Sequence, residues 1–183
     1  EFDVVLLCDV PRLNEESSDK LTSYIKNGGR LWIVPPESAD IGFFNQWTLI
    51  DESTKEPVTV LPCQLLEHST LDTDTRTDDS AWLSLALETS SNSRMKELLE
   101  RGEHDLFELK VYAYWKLKPH DTSVIPLKLS SDDPLFVEHT VGKGQVLIQA
   151  IPLTASSSTR LEMLLEPGRV TVPSAPDSGG RSK

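Results

Sequence analysis

The sequence predicts an α/β domain in which a parallel crossover is joined to an antiparallel meander. Three observations predict it. An apolar run, Val4-Val5-Leu6-Leu7-Cys8, precedes an amphipathic stretch ended by Gly28-Gly29, and a second apolar run, Leu31-Trp32-Ile33-Val34, completes the order of a β-α-β unit. Leu109, Val111, Ala113, Trp115 and Leu117 alternate with Lys110, Tyr112, Tyr114, Lys116 and Lys118, the period-two pattern of a strand with one buried and one wet face. Two further β runs, Leu135 to Val141 and Gln145 to Ala150, flank Gly142-Lys143-Gly144, a glycine-flanked hairpin signal.

Taken in order, Asp3 to Cys8 reads as a strand buried on both faces, because its apolar residues are contiguous. A helix follows. Asn14 or Ser17 caps it, Leu21, Tyr24 and Ile25 mark its apolar face, Lys26 suits its last turn, and Gly28 or Gly29 supplies the left-handed stop. The strand Leu31 to Val34 is closed by Pro35-Pro36, which neither pairs in a ladder nor continues a helix. Phe43, Phe44, Trp47, Leu49 and Ile50 form an aromatic cluster, read as a short helix leading into a loop. A short strand is expected at Val58 to Leu61, and an exposed polar loop from Glu67 to Ser80.

A second helix is expected from Ser93 to Arg101, with Met95, Leu98 and Leu99 as its stripe and Gly102 as its cap. Ser123 to Leu129 is a further strand. Beyond Pro152 the sequence turns linker-like, and Pro173 to Lys183 is a tail of Pro, Ser, Gly and charge. The expected organisation is one α/β domain over 1–153 and a polar, disordered tail over 154–183. A crossover with no strand before it reads as part of a longer protein whose first strands are missing.

Eighteen Lys and Arg stand against twenty-nine Asp and Glu, a net charge of -11 that repels nucleic-acid phosphates and anionic lipid. Neither is expected as a partner. No run approaches the ~20 apolar residues of a membrane-spanning helix, so no direct membrane insertion by this segment is expected. Cys8 and Cys63 have neither a metal-ligand spacing nor a disulfide framework.

No catalytic, cofactor-binding or metal-binding constellation emerges. Cys8 ends a strand, where open α/β sheets place ligands, but Leu7 and Asp9-Val10-Pro11 occupy the positions that a nucleophile elbow gives to small residues. It reads as a small hydrophobe. His68, His104, His120 and His139 are scattered, and Glu138-His139 lies in a strand whose adjacent residues face opposite ways. Asp72, Asp74, Asp78 and Asp79 lack the central glycine and terminal glutamate of a calcium loop. Gly142-Lys143-Gly144 leads into a strand and Gly28-Gly29 ends a helix, so neither cradles phosphate.

Phe2-Asp3-Val4-Val5-Leu6-Leu7-Cys8-Asp9-Val10-Pro11-Arg12-Leu13, then Leu21 to Gly29, Phe44-Asn45 and Leu61-Pro62, resembles the glutamine-amidotransferase-like region of BatA-type bacterial membrane proteins common in planctomycetes. The block from Val111 through Asp133-Pro134-Leu135-Phe136-Val137-Glu138 to Gly142-Lys143-Gly144-Gln145-Val146 continues it, so the resemblance covers roughly residues 2 to 153. Related units occur in ThuA-like proteins and in the trimerisation domain of some β-galactosidases. The resemblance implies a flavodoxin-like sheet of the class I amidotransferase type, in a parent protein anchored in the cell envelope. The family superfold's Gly-x-Cys-x-Gly and His-x-Glu motifs are absent, so no amidotransferase residue carries over.

The function expected from these readings is a non-catalytic interaction or scaffolding domain of a cell-envelope protein, with Phe43, Phe44 and Trp47 as its contact surface if exposed. Two alternatives stand beside it: a degenerate cysteine-dependent hydrolase using Cys8, and a carbohydrate-binding module in which Trp32, Trp47, Trp82 or Trp115 stacks on sugar rings.

Overall fold

The computed structural model describes residues 3–51, 54–71, 83–86 and 111–152. The predicted crossover is present as β1 (Val4–Cys8), α1 (Glu15–Lys26) and β2 (Arg30–Val34), with β1 and β2 parallel. Asn14 caps α1 by accepting from Ser17 N at 2.8 Å, with Glu15 and Glu16 in the first turn and Lys26 in the last, so both ends complement the helix dipole. At its end Gly28 takes a φ of 102°, the left-handed conformation that a side chain resists. Its N–H donates to Ile25 O at 2.9 Å, and Gly29 N donates to Tyr24 O at 3.0 Å.

The aromatic cluster forms a one-turn helix, α2 (Ile41–Gln46), and then a strand, β3 (Thr48–Ile50), which pairs with β4 (Pro57–Thr59). Asp40 caps α2 through Phe43 N. β5 (Cys63–Thr70) occupies the first part of the segment expected as a loop, and residues 72–80 lie outside the described residues. Asn45 fixes α2 against β5 by receiving Leu65 N at 2.8 Å and donating to Leu65 O at 2.9 Å. β6 (Leu85–Ala86) is short. β7 (Ala113–Pro119) pairs with β5 and not with the expected meander, which β8 (Val124–Leu129), β9 (Pro134–Val141) and β10 (Gly144–Gln149) form. The expected helix at Ser93 to Arg101 and the tail lie outside the described residues.

The main sheet runs β1-β2-β10-β9-β8-β6, while β3–β4 and β5–β7 form separate pairs. Only β1, β2 and β10 are mutually parallel; β10–β9, β9–β8 and β8–β6 are antiparallel. This corrects the expected α/β class and its flavodoxin-like parallel sheet: the protein is mostly β, with a mixed sheet. A doubly wound sheet needs helices between successive parallel strands and on both faces, whereas here α1 is the single crossover helix among the described residues and antiparallel pairing joins four of the six strands, β10, β9, β8 and β6.

Pairing fixes which residues share a face. Val5, Leu31, Val146 and His139 form one row across four strands, and Leu7, Ile33, Ile148 and Val137 form the next. All but Val5, which is partly buried against the core, are buried; Ile25 of α1 joins the same core, as do Phe44, Val60 and Leu61. The β9–β10 turn closes under the end of α1. There Gly144 lies so near the carbonyl oxygens of Ile25 and Gly29 that a Cβ would overlap both. Gly144 is therefore a steric requirement of helix-to-hairpin packing, whereas Gly142 answers to its left-handed φ of 61°.

The opposite face differs. Leu6, Trp32, Leu147, Glu138 and Val124 make a row across five strands, flanked by Val4, Arg30, Gln145 and Thr140. Val4, Leu6 and Val124 are 48%, 50% and 47% exposed, and Trp32, Leu147 and Phe136 are half-buried. β1 is thus not buried on both faces as expected. It is the sheet's edge strand among the described residues, and its even-numbered side chains face outward.

Candidate functional site

Three places bring candidate groups together. The first lies beyond the C-terminal ends of β1 and β2, where open sheets hold ligands. Cys8 ends β1 with its thiol exposed, which corrects the reading of a small hydrophobe packed in the interior. Asp9 follows at a φ of 57° and donates its N–H to Val34 O at 3.2 Å. Past β2, Glu37 Oε1 stands 3.8 Å from His68 Nδ1, and the His68 ring meets Trp115 edge-on with centroids 5.3 Å apart. Trp115 Nε1 in turn donates to Pro36 O at 3.1 Å.

These contacts tie β5 and β7 to the end of β2; they do not assemble a nucleophile. No hydrogen bond joins the Cys8 thiol to an imidazole or carboxylate among the described residues. Cys63 is buried, and burial pushes its thiol up to about 12. His120 sits in the β7–β8 turn, its N–H donating to Pro62 O at 3.1 Å. His139 lies on the covered face with Nε2 2.8 Å from Val60 O. A carbonyl only accepts, so Nε2 holds the proton, and burial lowers the imidazole's pKa below its ordinary value. Glu138, its neighbour, faces the open side and accepts from Gln145 Nε2 at 3.2 Å. His104, Trp82, Asp72, Asp74, Asp78 and Asp79 lie outside the described residues. Among the described residues no three His, Cys, Asp or Glu side chains gather as a metal site.

The second place is a cleft of about 480 Å³ beside α2, lined by Arg12, Asp40, Gly42, Phe43, Gln46, Trp47 and Thr48. Arg12 pairs with Asp40 at 3.2 Å and stands 5.8 Å from the Phe43 ring centre. Phe44 and Trp47 are buried, with Trp47 Nε1 donating to Thr22 Oγ1 at 3.1 Å. Of the three aromatic residues expected as a contact surface, only Phe43 is partly open to solvent. Trp115 is core, and Trp32 belongs to the third place, the open sheet face, where it meets Phe136 edge-on at 6.3 Å. Sequence reasoning missed that face because its residues come from five strands.

No family model matches the chain. No curated protein matches it either. Solved structures do. A cytoplasmic protein from Salmonella typhimurium LT2 aligns over 84% of this chain and 62% of its own, at 15% identity and a TM-score of 0.58. A second cytoplasmic protein from Salmonella typhimurium aligns over 82% of this chain and 61% of its own, at 13% identity and a TM-score of 0.51. A β-galactosidase from Rahnella sp. R3 covers 81% of this chain and 20% of its own at 15% identity, with a TM-score of 0.49 too low to bear on the fold. The chain thus spans about three fifths of the length of the first two, and at such identity the likeness concerns fold alone.

These neighbours correct the descriptions carried by the resemblance. The mixed, mostly β sheet overturns the flavodoxin-like description, and neither Salmonella protein is glutamine-amidotransferase-like, ThuA-like, BatA-type or membrane-associated by name. Among the described residues no helix is long and apolar enough to cross a membrane.

Proposed function

We propose that the chain is a non-catalytic binding domain that engages another protein through the open face of its six-stranded sheet. One observation carries this reading: a contiguous apolar surface of Val4, Leu6, Trp32, Leu147 and Phe136 lies directly opposite the packed core face. Exposed apolar patches of this kind, rimmed here by Arg30, Gln145, Glu138 and Thr140, mark interaction sites. Trp32 and Arg30 also belong to the residue types that dominate binding energy at interfaces. The test is crosslinked capture from an extract of the source organism by three purified forms: wild type, Leu6→Glu and Phe43→Ala. Partners lost with Leu6→Glu and kept with Phe43→Ala support the open face. Partners kept with Leu6→Glu overturn it.

A second reading, carbohydrate binding, is favoured by the α2 cleft, where an aromatic ring, an Arg–Asp pair and Gln46 line one hollow. Apolar ring faces and fixed polar groups are what sugar recognition uses. A glycan panel read by calorimetry, with Phe43→Ala as the variant expected to abolish heat, decides it.

A further inference from the structure

We infer that Arg12 is the group by which the cleft beside α2 recognises its ligand, a neutral saccharide, and that Asp40 is a positioning residue that holds the guanidinium and disfavours acidic sugars. This rests on the second reading, the cleft as a carbohydrate site, and names its selectivity.

The cleft lies within one continuous described stretch, its lining running from Arg12 to Thr48. Two loops build its wall. Arg12 follows β1 and Asp40 follows β2, and Asp40 N donates to Pro11 O at 2.8 Å, so the hollow sits beyond the carboxyl ends of two parallel strands.

Hydrogen bonding separates the two charged residues. Both oxygens of Asp40 are engaged: Oδ1 accepts from Phe43 N at 2.9 Å, capping α2, and Oδ2 accepts from Arg12 Nη1 at 3.2 Å. Trp47 is engaged likewise, its Nε1 donating to Thr22 Oγ1. The Arg12 fork is different: Asp40 takes a donor on one of its nitrogens, while the side chain remains 68% exposed and keeps further N–H groups for a ligand. It is also held from two sides, by the carboxylate and by the Phe43 ring, whose centre lies 5.8 Å away. A fork fixed in advance loses less rotamer freedom when it binds neighbouring hydroxyl oxygens. Gln46 and Thr48, both exposed, add an amide and a hydroxyl that donate as well as accept.

Charge sets the class of sugar. Of the residues lining the cleft, Arg12 and Asp40 are charged and cancel each other, in a chain of net charge -11. A uronate carboxylate seated on Arg12 would stand beside that of Asp40, whereas sugar hydroxyl groups meet the pair without repulsion.

The experiment is calorimetry on the full chain with the methyl glycosides of glucose, galactose and N-acetylglucosamine, and with methyl glucuronide. At least one neutral glycoside should bind, at least ~10-fold more tightly than the glucuronide, and Arg12→Gln and Arg12→Lys should each weaken it ~10-fold. Asp40→Asn is the sharper variant. Asparagine caps a helix as well as aspartate, so the circular dichroism should not change. The neutral glycoside should nevertheless bind at least ~3-fold more weakly to this variant, and the glucuronide more tightly. A loss of both affinities together would mark Asp40 as a structural residue and overturn its assigned role. Binding that survives Arg12→Gln but is lost with Phe43→Ala overturns the inference and leaves the carbohydrate reading intact. Preference for the glucuronide overturns the neutral class. No heat from any glycoside overturns both the inference and the second reading.

Discussion

The two faces of the main sheet are made from the same strands, one residue out of step, and they have opposite fates. On one face Leu7, Leu31, Ile33, Val137, Val146 and Ile148 are sealed with Ile25, Phe44, Val60 and Leu61 in one core. On the other, Val4 and Leu6 stand at half exposure in the same strand as Leu7. Strand alternation alone produces this division, since a shift of one residue exchanges the faces. The covered face holds the fold together, and the other stays half-exposed among the described residues.

The largest contrast should appear between the two thiols. Cys8 is exposed, whereas Cys63 is buried and its thiol is raised from 9.0 to about 12. Because the thiolate is the reacting form, a disulfide reagent at neutral pH should modify Cys8 more than ~100-fold faster than Cys63. Cys63 should react only after denaturant unfolds the chain. Equal rates under native conditions would mean that the covered side opens readily, and the comparison of faces would fail.

Next in size are truncations on either side. Ile148→Ala empties a fully buried site and should cost ~2–5 kcal/mol by denaturant titration. Leu6→Ala should change stability by about 0.5 kcal/mol or less, as surface substitutions do. A comparable loss for Leu6→Ala would show that the outer face is packed against something in the isolated chain. Gly144→Ala should fall between them, at ~1–3 kcal/mol, because its new Cβ meets two backbone carbonyls that cannot rotate away.

Individual elements, though not the sheet they build, were legible in local signals. Asn14, Gly28 and the Gly142-Lys143-Gly144 turn each act within a few residues, so spacing alone revealed α1 and the β9–β10 hairpin. What failed depends on distant neighbours. Val4-Val5-Leu6-Leu7 has the composition of an interior strand, but composition does not say whether another strand lies alongside. The polar Glu67–Thr70 end of β5 is a strand because it pairs with β7 past a register shift between Leu65 and His68. Tyr114 falls on the polar side of the period-two pattern, yet it is buried, its hydroxyl donating to Asp133 at 2.7 Å. The α2 cleft likewise joins Arg12 to Asp40 across 28 positions, and neither residue carries a motif.

The smallest effect, and the one that tests the covered face by charge, concerns His139. Desolvation lowers its pKa, with His120 adding in the same direction, while the hydrogen bond to Val60 O opposes the shift. The folded protein therefore keeps this imidazole neutral at a pH where the unfolded chain has taken up a proton. Stability from this group is complete above the ordinary value of 6.5, falls as the pH drops below it, and levels off once the folded state also protonates. His139→Gln retains an N–H for Val60 O but cannot titrate. Its stability curve should be flatter than that of the wild type between pH ~6.5 and ~5, above the range in which ordinary carboxylates protonate. Parallel curves would mean that the imidazole charges as easily in the fold as in water, and that water reaches the side of the sheet assigned here to the core.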